Sequence, residues 1–277
     1  MRKFTETLTD PIPARELQSD EYFNPSDHLI YCAKCHTPRQ GRYTLQGRIF
    51  LPPIRCRCQQ ELYDQEEAKR KLKEKQMEIQ RMKTSGLQDK AFYDYTFAKD
   101  SGVNPEMALA HKYVENWDSM KDRSSGLLLW GDVGTGKTFF AGCIANALLD
   151  KGIPVLMTNF ARILNTLAGM HSEDRNLFID SMNRYSLLII DDLGMERNSE
   201  FALEQVFHVI DSRYRSRKPL IVTTNLTLTE LNTPADMAHR RIYDRILERC
   251  VPIRINNHNI RQDNASKNLE EAKRLLL

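Results

Sequence analysis

The feature that most constrains the fold is an eight-residue motif, GDVGTGKT, at residues 131–138. It matches the pattern G-x-x-x-x-G-K-[ST], follows the apolar run LLLW and precedes a stretch with helical character. In this setting the backbone N–H groups around the glycines form a nest for phosphate oxygens, and the start of the next helix directs its positive dipole toward the same anion. The motif therefore predicts a strand, a phosphate-binding loop and a helix in succession.

Within the motif, Lys137 is expected to reach the β- and γ-phosphates of a nucleotide, and the Thr138 hydroxyl is expected to bind Mg²⁺. A side chain larger than hydrogen at the glycines would block the approach of the phosphates. The alternative is a glycine-rich turn that matches by chance, which the flanking strand and helix patterns disfavour. The predicted nucleotide contacts in this segment are Gly131, Asp132, Val133, Gly134, Thr135, Gly136, Lys137, Thr138 and Phe139.

A second apolar run, YSLLIIDDLG at residues 185–194, ends in a pair of aspartates. Consecutive apolar residues are typical of a buried parallel strand, and open α/β sheets bind their ligands at the carboxyl ends of such strands. Asp191 is therefore predicted to hold Mg²⁺, directly or through water, and Asp192 to orient or polarise the attacking water. The alternative is that the two aspartates cap the start of a helix.

The segment KPLIVTTNLTLTEL, residues 218–231, predicts another strand that ends near Asn225. The amide of Asn225 either positions water beside the γ-phosphate or only begins the next turn. In HRRIYDRILERC, the residues Arg241, Arg245 and Arg249 recur every four positions and so share one helix face. Such a stripe is either a solvated face or the source of an arginine for the γ-phosphate of a neighbouring subunit.

The first 60 residues carry four of the six cysteines. A C-x₂-C pair followed after twenty residues by a C-x-C pair is the pattern of a tetrahedral Zn²⁺ site, and free cytosolic thiols are the alternative. His28 and His36 are candidates to replace one thiolate, whereas Cys143 and Cys250 lie in apolar contexts and are expected in the core. The predicted zinc ligands are Cys32, Cys35, Cys56 and Cys58.

The segment that carries these cysteines is basic. Between residues 31 and 58 there are six Lys or Arg and no Asp or Glu, with Tyr31, Tyr43 and Phe50 interleaved. Basic side chains with stacking rings bind single-stranded nucleic acid, and they bind an acidic protein surface equally well. Residues 61–83 are dense in mixed charges without Gly or Pro, which predicts an exposed helix.

These patterns predict three regions along the chain. They are a zinc-binding, partner-binding module at 1–60, a charged helical linker at 61–86 and an ATPase domain at 87–277. No run of about 18 apolar residues occurs, so no membrane span is expected. The start of the chain has no apolar signal region, so we expect the protein in the cytoplasm.

Residues 90–265 resemble the AAA+ ATPases that load bacterial replicative helicases, the DnaC/DnaI type, and they resemble the IstB type of transposition helper ATPase almost as closely. The matching stretches are GDVGTGKT, LLIIDDLG, VTTN, RRIYDRILER and NIR. The resemblance implies an α/β fold, the AAA+ P-loop NTPase, with a parallel five-stranded sheet in the order 5-1-4-3-2 between helices. The candidate strands are 127–131, 154–158, 187–191, 219–224 and 251–254, preceded by a helix over 106–119.

By the same resemblance, Asn225 takes the sensor-1 role, Arg245 acts as an arginine finger on an adjacent subunit, and Arg261 is the sensor-2 residue that touches the nucleotide in cis. Residues 95–97 are expected in the pocket for the base. The chain departs from the family pattern twice. Residues 259–261 are Asn-Ile-Arg where the loaders often have Ser-Tyr-Arg, and the acid pair is Asp-Asp where many AAA+ motors have Asp-Glu.

The resemblance implies an ATPase that uses ATP and Mg²⁺ and that delivers a hexameric replicative helicase to single-stranded DNA. The shorter carboxylate of the acid pair predicts slow hydrolysis, and the cysteine spacing adds a structural Zn²⁺. Self-association through the arginine finger belongs to this expectation. The alternative is an IstB-like helper that binds DNA and recruits a transposase. A small-molecule P-loop kinase is disfavoured, because Arg245 and Asn225 fit a multi-subunit ATPase better and no acceptor-binding domain is evident.

Overall fold

A computed structural model of the chain describes residues 16–194, 199–234, 236–257 and 259–276. The chain divides into two compact units, Met1–Gln76 and Met77–Leu277. The long helix α1, Arg57–Gly86, contributes residues to each unit. Across the described residues, no helix combines the length and the apolar character that crossing a bilayer requires.

The smaller unit is built from antiparallel hairpins. Strands β1 (Glu21–Asn24) and β2 (Leu29–Cys32) form the first hairpin, and β3 (Tyr43–Leu45) and β4 (Arg48–Phe50) form the second. In the described part of this unit the buried apolar side chains are few, namely Ile30, Cys32 and Cys56. A unit that buries so little apolar surface depends on other interactions for its stability.

Helix α1 is the charged helix that the sequence predicts, and it begins before residue 61, at Arg57. Its surface carries ion pairs one helical turn apart, between Glu67 and Lys71 at 2.8 Å and between Arg70 and Glu74 at 3.6 Å. Solvent screens the charges of exposed pairs, so each contributes little to stability. The mixed charges therefore stabilise the helix locally, and most of its side chains remain exposed.

The larger unit contains a parallel sheet. Its strands are β5 (Gly126–Trp130), β6 (Val155–Asn159), β7 (Leu187–Leu193), β8 (Leu220–Thr224) and β9 (Cys250–Arg254). Their order across the sheet is β6-β7-β8-β5-β9, and every neighbouring pair is parallel. Numbered within this unit and read from the other edge, the order is 5-1-4-3-2, which confirms the predicted topology.

Helices cover this sheet. They are α2 (Met107–Glu115), α3 (Trp117–Asp122), α4 (Lys137–Asp150), α5 (Phe160–Ala168), α6 (Ser172–Met182), α7 (Glu200–Arg215), α8 (Leu228–Asn232), α9 (Met237–Arg249) and α10 (Ile260–Leu276), with 3₁₀ turns at Lys90–Asp94 and Phe97–Lys99. The prediction of one helix over 106–119 is wrong, because α2 ends at Glu115 and α3 begins at Trp117 after the cap residue Asn116. The Asn116 side-chain amide donates to the Lys112 carbonyl at 2.9 Å, and such local bonds compete with helix continuation.

Both faces of the sheet are buried. Leu127 and Leu129 of β5 pack with α2 and α4 on one face, whereas Leu128 packs with α7 and α9 on the other. All three leucines are at most 3% exposed. Burial on both faces explains why the strand reads as a continuous apolar run. The carboxyl ends of β5, β7 and β8 lie at one edge of this sheet, and the predicted site residues lie within or just after these ends.

Candidate functional site

The predicted phosphate loop lies between β5 and α4. Gly136 caps the start of α4 with a φ of 97°, a left-handed conformation that glycine adopts without steric strain. At Gly134, where φ is 82°, an added Cβ would lie 2.0 Å from Oδ1 of Asn259. Glycine is therefore required at both positions of this loop.

Polar groups converge at the mouth of the loop. The Lys137 Nζ lies 2.8 Å from the carbonyl oxygen of Gly131 and 2.7 Å from that of Asp132. The Thr138 Oγ1 donates to Oδ1 of Asp191 at 3.0 Å. The structure thus brings together the two predicted Mg²⁺ ligands, one from the first turn of α4 and one from β7.

A cavity of about 590 Å³ opens beside the loop, a volume within the range of small-molecule and cofactor sites. The motif residues that line it are Val133, Gly134, Thr135, Gly136, Lys137, Thr138 and Phe139. Asp192, Asn225 and Ile260 also line it. The remaining lining residues precede the motif in the chain and are Tyr95, Lys99, Asp100, Ser101, Val103 and Asn104. The phosphate loop, one carboxylate residue and the predicted sensor-1 residue therefore line the same cavity.

Tyr95 lines this cavity as predicted, whereas Phe97 stacks on His111 with ring centroids 3.8 Å apart. Helix α4 holds Tyr95 in place. The buried Asn146 donates from Nδ2 to the Tyr95 carbonyl at 2.9 Å, and at Gly142 an added Cβ would lie 2.6 Å from the Cβ of Tyr95. Sequence reasoning missed both α4 residues. A lone amide in the apolar stretch CIANALL is the signal that could have identified Asn146.

The two aspartates at the end of β7 have different environments. Asp191 is 7% exposed, whereas Asp192 lines the cavity. Burial raises the pKa of Asp191, and hydrogen bonds from Thr223 and Thr138 act in the opposite direction. The alternative that the pair caps a helix is wrong, because both residues belong to the strand.

Two further predicted contacts lie near the phosphate loop. Asn225 directly follows β8 and lines the cavity. At the start of α10, the Ile260 N–H donates to the Gly134 carbonyl at 3.0 Å. Arg261 is the next residue of this helix, and its side chain lies outside the described residues. The sensor-2 role of Arg261 stays a prediction, as do the catalytic roles of Asp192 and Asn225.

Arg245 of α9 is not among the described residues that line this cavity. Its Nε lies 2.9 Å from Oδ1 of Asp211 on α7, and its guanidinium lies 4.8 Å from the ring centroid of Phe207. Asp211 also binds Arg215, at 2.7 Å through Oδ2. Within one chain α7 therefore holds Arg245 outside the cavity, and a finger role requires the nucleotide of another subunit.

A family model described as "IstB-like ATP binding protein" matches residues 57–268. The chain belongs to this IstB-like family. The phage-like element PBSX protein XkdC of Bacillus subtilis is 27% identical over 160 residues, which cover 54% of this chain and 58% of XkdC. The replicative helicase loader DnaC of Escherichia coli is 27% identical over 163 residues, covering 57% of this chain and 63% of DnaC. The chain thus spans only part of either relative.

The replicative helicase loader DnaI of Bacillus subtilis is 25% identical to this IstB-like chain over 265 residues, which cover 87% of this chain and 81% of DnaI. The crystal structure of DnaI is similar with a TM-score of 0.54 at 21% identity, covering 65% of this chain and 99% of that chain. For the DnaC helicase loader the TM-score is 0.50 at 24% identity, with 61% and 100% covered. These structures establish the AAA+ fold of the larger unit.

A second candidate site lies in the smaller unit. The Sγ atoms of Cys32, Cys35, Cys56 and Cys58 all lie within 4.8 Å of one another. The Cys32–Cys58 and Cys56–Cys58 Sγ separations are 3.7 and 3.4 Å. Zn–S bonds of about 2.3 Å give a tetrahedron edge of about 3.8 Å, so the four thiols fit a tetrahedral metal site. Only Cys58 falls within the segment that the IstB-like family model matches.

The other cysteines and histidines lie apart from this cluster. His28 and His36, the candidates to replace a thiolate, are not among the described residues that form it. The His36 Nδ1 lies 3.3 Å from the hydroxyl oxygen of Tyr22 instead. Cys143 and Cys250 are buried in the larger unit, as predicted. The cluster therefore consists of the four predicted thiols alone within the described part of the chain.

The surroundings of the cluster favour a thiolate at Cys35, whereas hydrogen bonding with the neighbouring thiols, Cys56 first, raises the pKa of Cys58 to about 12. A hydrogen bond from the Thr37 hydroxyl is the main cause that lowers the pKa of Cys35 to about 5. The buried Arg39, which is paired with Asp20, reaches the Cys32 Sγ at 3.6 Å. Because thiolates are the form that binds metal, hydroxyl and guanidinium donors at this position suit the predicted Zn²⁺ site.

Proposed function

We propose that this protein is an ATP-hydrolysing helicase loader that delivers a hexameric replicative helicase to single-stranded DNA in the cytoplasm during DNA replication. The observation that carries the ATPase part is the contact between Thr138 and Asp191 at the phosphate loop, beside a cavity that Asp192 and Asn225 also line. Membership of the IstB-like ATP-binding family supports it. Similarity to the helicase loader DnaI over 87% of this chain supports the loading part.

The residues of the site divide the chemistry between them. The loop N–H groups and the Lys137 ammonium bind the triphosphate and neutralise its charge. Thr138 and Asp191 hold Mg²⁺, which supplies Lewis-acid stabilisation of the transferred phosphoryl group. Asp192 and Asn225 orient the attacking water from the cavity wall.

Arginines complete the proposed site. Arg245 acts on the nucleotide of an adjacent subunit, because its planar guanidinium spreads positive charge over phosphate oxygens. Arg261, at the start of α10, contacts the nucleotide of its own subunit. Full turnover therefore requires self-association, whereas ATP binding does not.

We assign partner binding to the N-terminal module, residues 1–60, in which the cysteine cluster holds Zn²⁺; residues 61–86 are its linker to the ATPase domain, 87–277. The β3–β4 hairpin exposes Tyr43 and Phe50. No carboxylate side chain occurs in the basic segment around them. Exposed apolar groups among positive charges fit an acidic protein surface, so this module binds the helicase. The ATPase domain contacts single-stranded DNA.

Lys137→Ala tests the ATPase part. Loss of the ammonium from the phosphate loop should abolish ATP binding, as measured by calorimetry. Lys112→Ala removes an exposed charge from α2 and is the matched control, which should bind ATP normally. Undiminished ATP binding by Lys137→Ala would reject the assigned site.

A pull-down tests the loading part. The wild-type protein with ATP and Mg²⁺ should retain a purified replicative helicase, and a variant that lacks residues 1–60 should not. If the protein retains none of the replicative helicases of candidate hosts, the loader function is rejected. The ATPase proposal would remain intact.

The family match favours a second candidate function, an IstB-like transposition helper that binds DNA and recruits a transposase. This function predicts ATP-dependent filaments on duplex DNA. Electron microscopy of the protein with duplex DNA and ATP, performed beside the helicase pull-down, separates the two candidates. Filaments without helicase retention favour the transposition helper.

A further inference from the structure

The strand that carries the acid pair does not pair regularly with its neighbour. The register of β7 against β8 shifts between Ile190 and Leu193. Asp191 and Asp192 therefore both lie opposite Thr223, which is the two-against-one arrangement of a β-bulge. Bulges bend a strand and redirect its side chains, and they are frequent beside functional sites.

The Thr223 side chain bridges the two bulged residues. Its Oγ1 donates to Oδ1 of Asp191 at 2.6 Å and accepts the N–H of Asp192 at 2.9 Å. Thr223 is 0% exposed, so both bonds are shielded from water. One buried hydroxyl thus orients a carboxylate and satisfies the main chain of the next residue.

Each bond has a consequence at the site. Oδ1 of Asp191 also accepts from Thr138, so two hydroxyls converge on one oxygen and fix the carboxylate plane beside the phosphate loop. Asp192 has a φ of 57°, and in this left-handed conformation its side chain reaches the cavity. Without the Thr223 acceptor, the Asp192 N–H at the bulge would lose its bond to β8.

We propose that Thr223 is a positioning residue of this site, whose hydroxyl holds the bulge so that Asp191 meets Thr138 and Asp192 faces the cavity. The inference rests on the proposed ATPase function. A hydroxyl is needed for both bonds, because threonine and serine offer a donor and an acceptor in one atom and valine, of similar shape, offers neither.

The test compares Thr223→Val with Thr223→Ser and Thr158→Val. Thr158 is a buried threonine of β6 whose hydroxyl bonds to Gln88 at 2.6 Å, and it does not line the cavity. Thr158→Val therefore controls for the loss of a buried hydroxyl from this sheet. For each protein we would measure affinity for a fluorescent ATP analogue in Mg²⁺ and in EDTA, steady-state hydrolysis, and thermal unfolding.

Thr223→Val should lower the Mg²⁺-dependent part of nucleotide affinity on the order of tenfold, because the bond to the charged Asp191 carboxylate is lost. It should reduce kcat more than it raises KM, and leave affinity in EDTA unchanged. Thr223→Ser should restore both quantities, and Thr158→Val should match wild type in both even if it melts at a lower temperature. Equal behaviour of the two valine variants, or no rescue by serine, overturns the positioning role.

These measurements separate the inference from the proposed function. A wild-type protein that binds the analogue more tightly with Mg²⁺ yet hydrolyses no ATP would reject the ATPase proposal, and the Mg²⁺ titration would still decide the role of Thr223. A wild-type protein whose nucleotide affinity does not respond to Mg²⁺ overturns the inference itself.

Discussion

The smaller and larger units support their candidate sites by different means. Among the described residues of the smaller unit, Cys32 and Cys56 are both predicted ligands and part of a minimal buried core. In the larger unit, the phosphate loop follows a strand whose leucines are buried between helices. We therefore expect a metal to form part of the fold of the smaller unit, whereas we expect a nucleotide to bind to a core of the larger unit that packing already completes.

Metal removal should have the largest effect. Chelation, or Cys56→Ser, should unfold the smaller unit, because structural Zn²⁺ contributes about 10–16 kcal/mol of apparent folding free energy in small zinc domains. Hydrogen exchange should show lost protection in β1 and β2 and unchanged protection in β5 and β8. His36→Ala, outside the cluster, is the control and should retain its metal. Persistent protection of β1 after complete chelation would contradict the expectation that the smaller unit needs a metal to fold.

The next largest effect tests whether each site is complete within one chain. The cysteine cluster is assembled within one chain, whereas the nucleotide site is proposed to need an arginine from a second chain. Arg245→Ala should lower ATP turnover by about a thousandfold, the loss expected when an arginine finger is removed, and leave ATP affinity unchanged. Arg241→Ala, exposed on the same helix, is the control. Mixing Arg245→Ala with Lys137→Ala should restore turnover. The Lys137→Ala protein supplies Arg245, and the Arg245→Ala protein supplies an intact nucleotide site. No restoration would argue against action in trans.

The third prediction asks whether the hydrogen bonds of a buried guanidinium, in addition to apolar packing, stabilise the larger unit. The Arg213 guanidinium donates to the carbonyl oxygens of Tyr185, Ser186 and Pro219 at 3.0, 3.0 and 2.6 Å. Arg213→Met should lower the free energy of unfolding by about 3 kcal/mol, because each buried group left unpaired costs about 1–3 kcal/mol. Denaturant unfolding followed by tryptophan fluorescence measures this. Arg215→Met, on the exposed end of α7, is the control, and an equal loss in both would contradict the assignment.

The smallest effect should be confined to one helix of the larger unit. Thr227 accepts the Glu230 N–H at 3.2 Å, and the Glu230 carboxylate accepts the Thr227 N–H at 2.7 Å, which together cap α8. Thr227→Ala should lower the free energy of unfolding by about 1 kcal/mol, and Thr227→Ser should not. Metal content should stay constant in both variants. A change in metal content would show that the cap of α8 in the larger unit affects the metal site of the smaller unit.

Much of the fold was predictable because its signals are contiguous in the sequence. The phosphate loop and the strand that carries Asp191 are each encoded by one short, contiguous segment. The resemblance then supplied the strand order, which the sheet confirms. Cysteine spacing alone identified the four thiols that the structure brings together.

Contacts between distant segments were not predictable in this way. Thr223 is 32 residues from Asp191, and the bulge that joins them depends on a strand register that no local pattern encodes. Asn146 and Arg213 bond to backbone carbonyls, which leave no signature in the sequence of their partners. The sequence marks Asn146 as a lone amide in an apolar stretch, whereas Arg213 lies in the polar run DSRYRSRK and has no such mark.

The left-handed backbone at Asp192 has a consequence for the reach of its acid. Aspartate tolerates a φ of 57° better than longer residues, because its short side chain can bond locally. Glutamate, which many AAA+ motors carry at this place, would add about 1–2 kcal/mol of strain or force the strand to straighten. A longer carboxylate at residue 192 would therefore require a different junction of β7 and β8 as well.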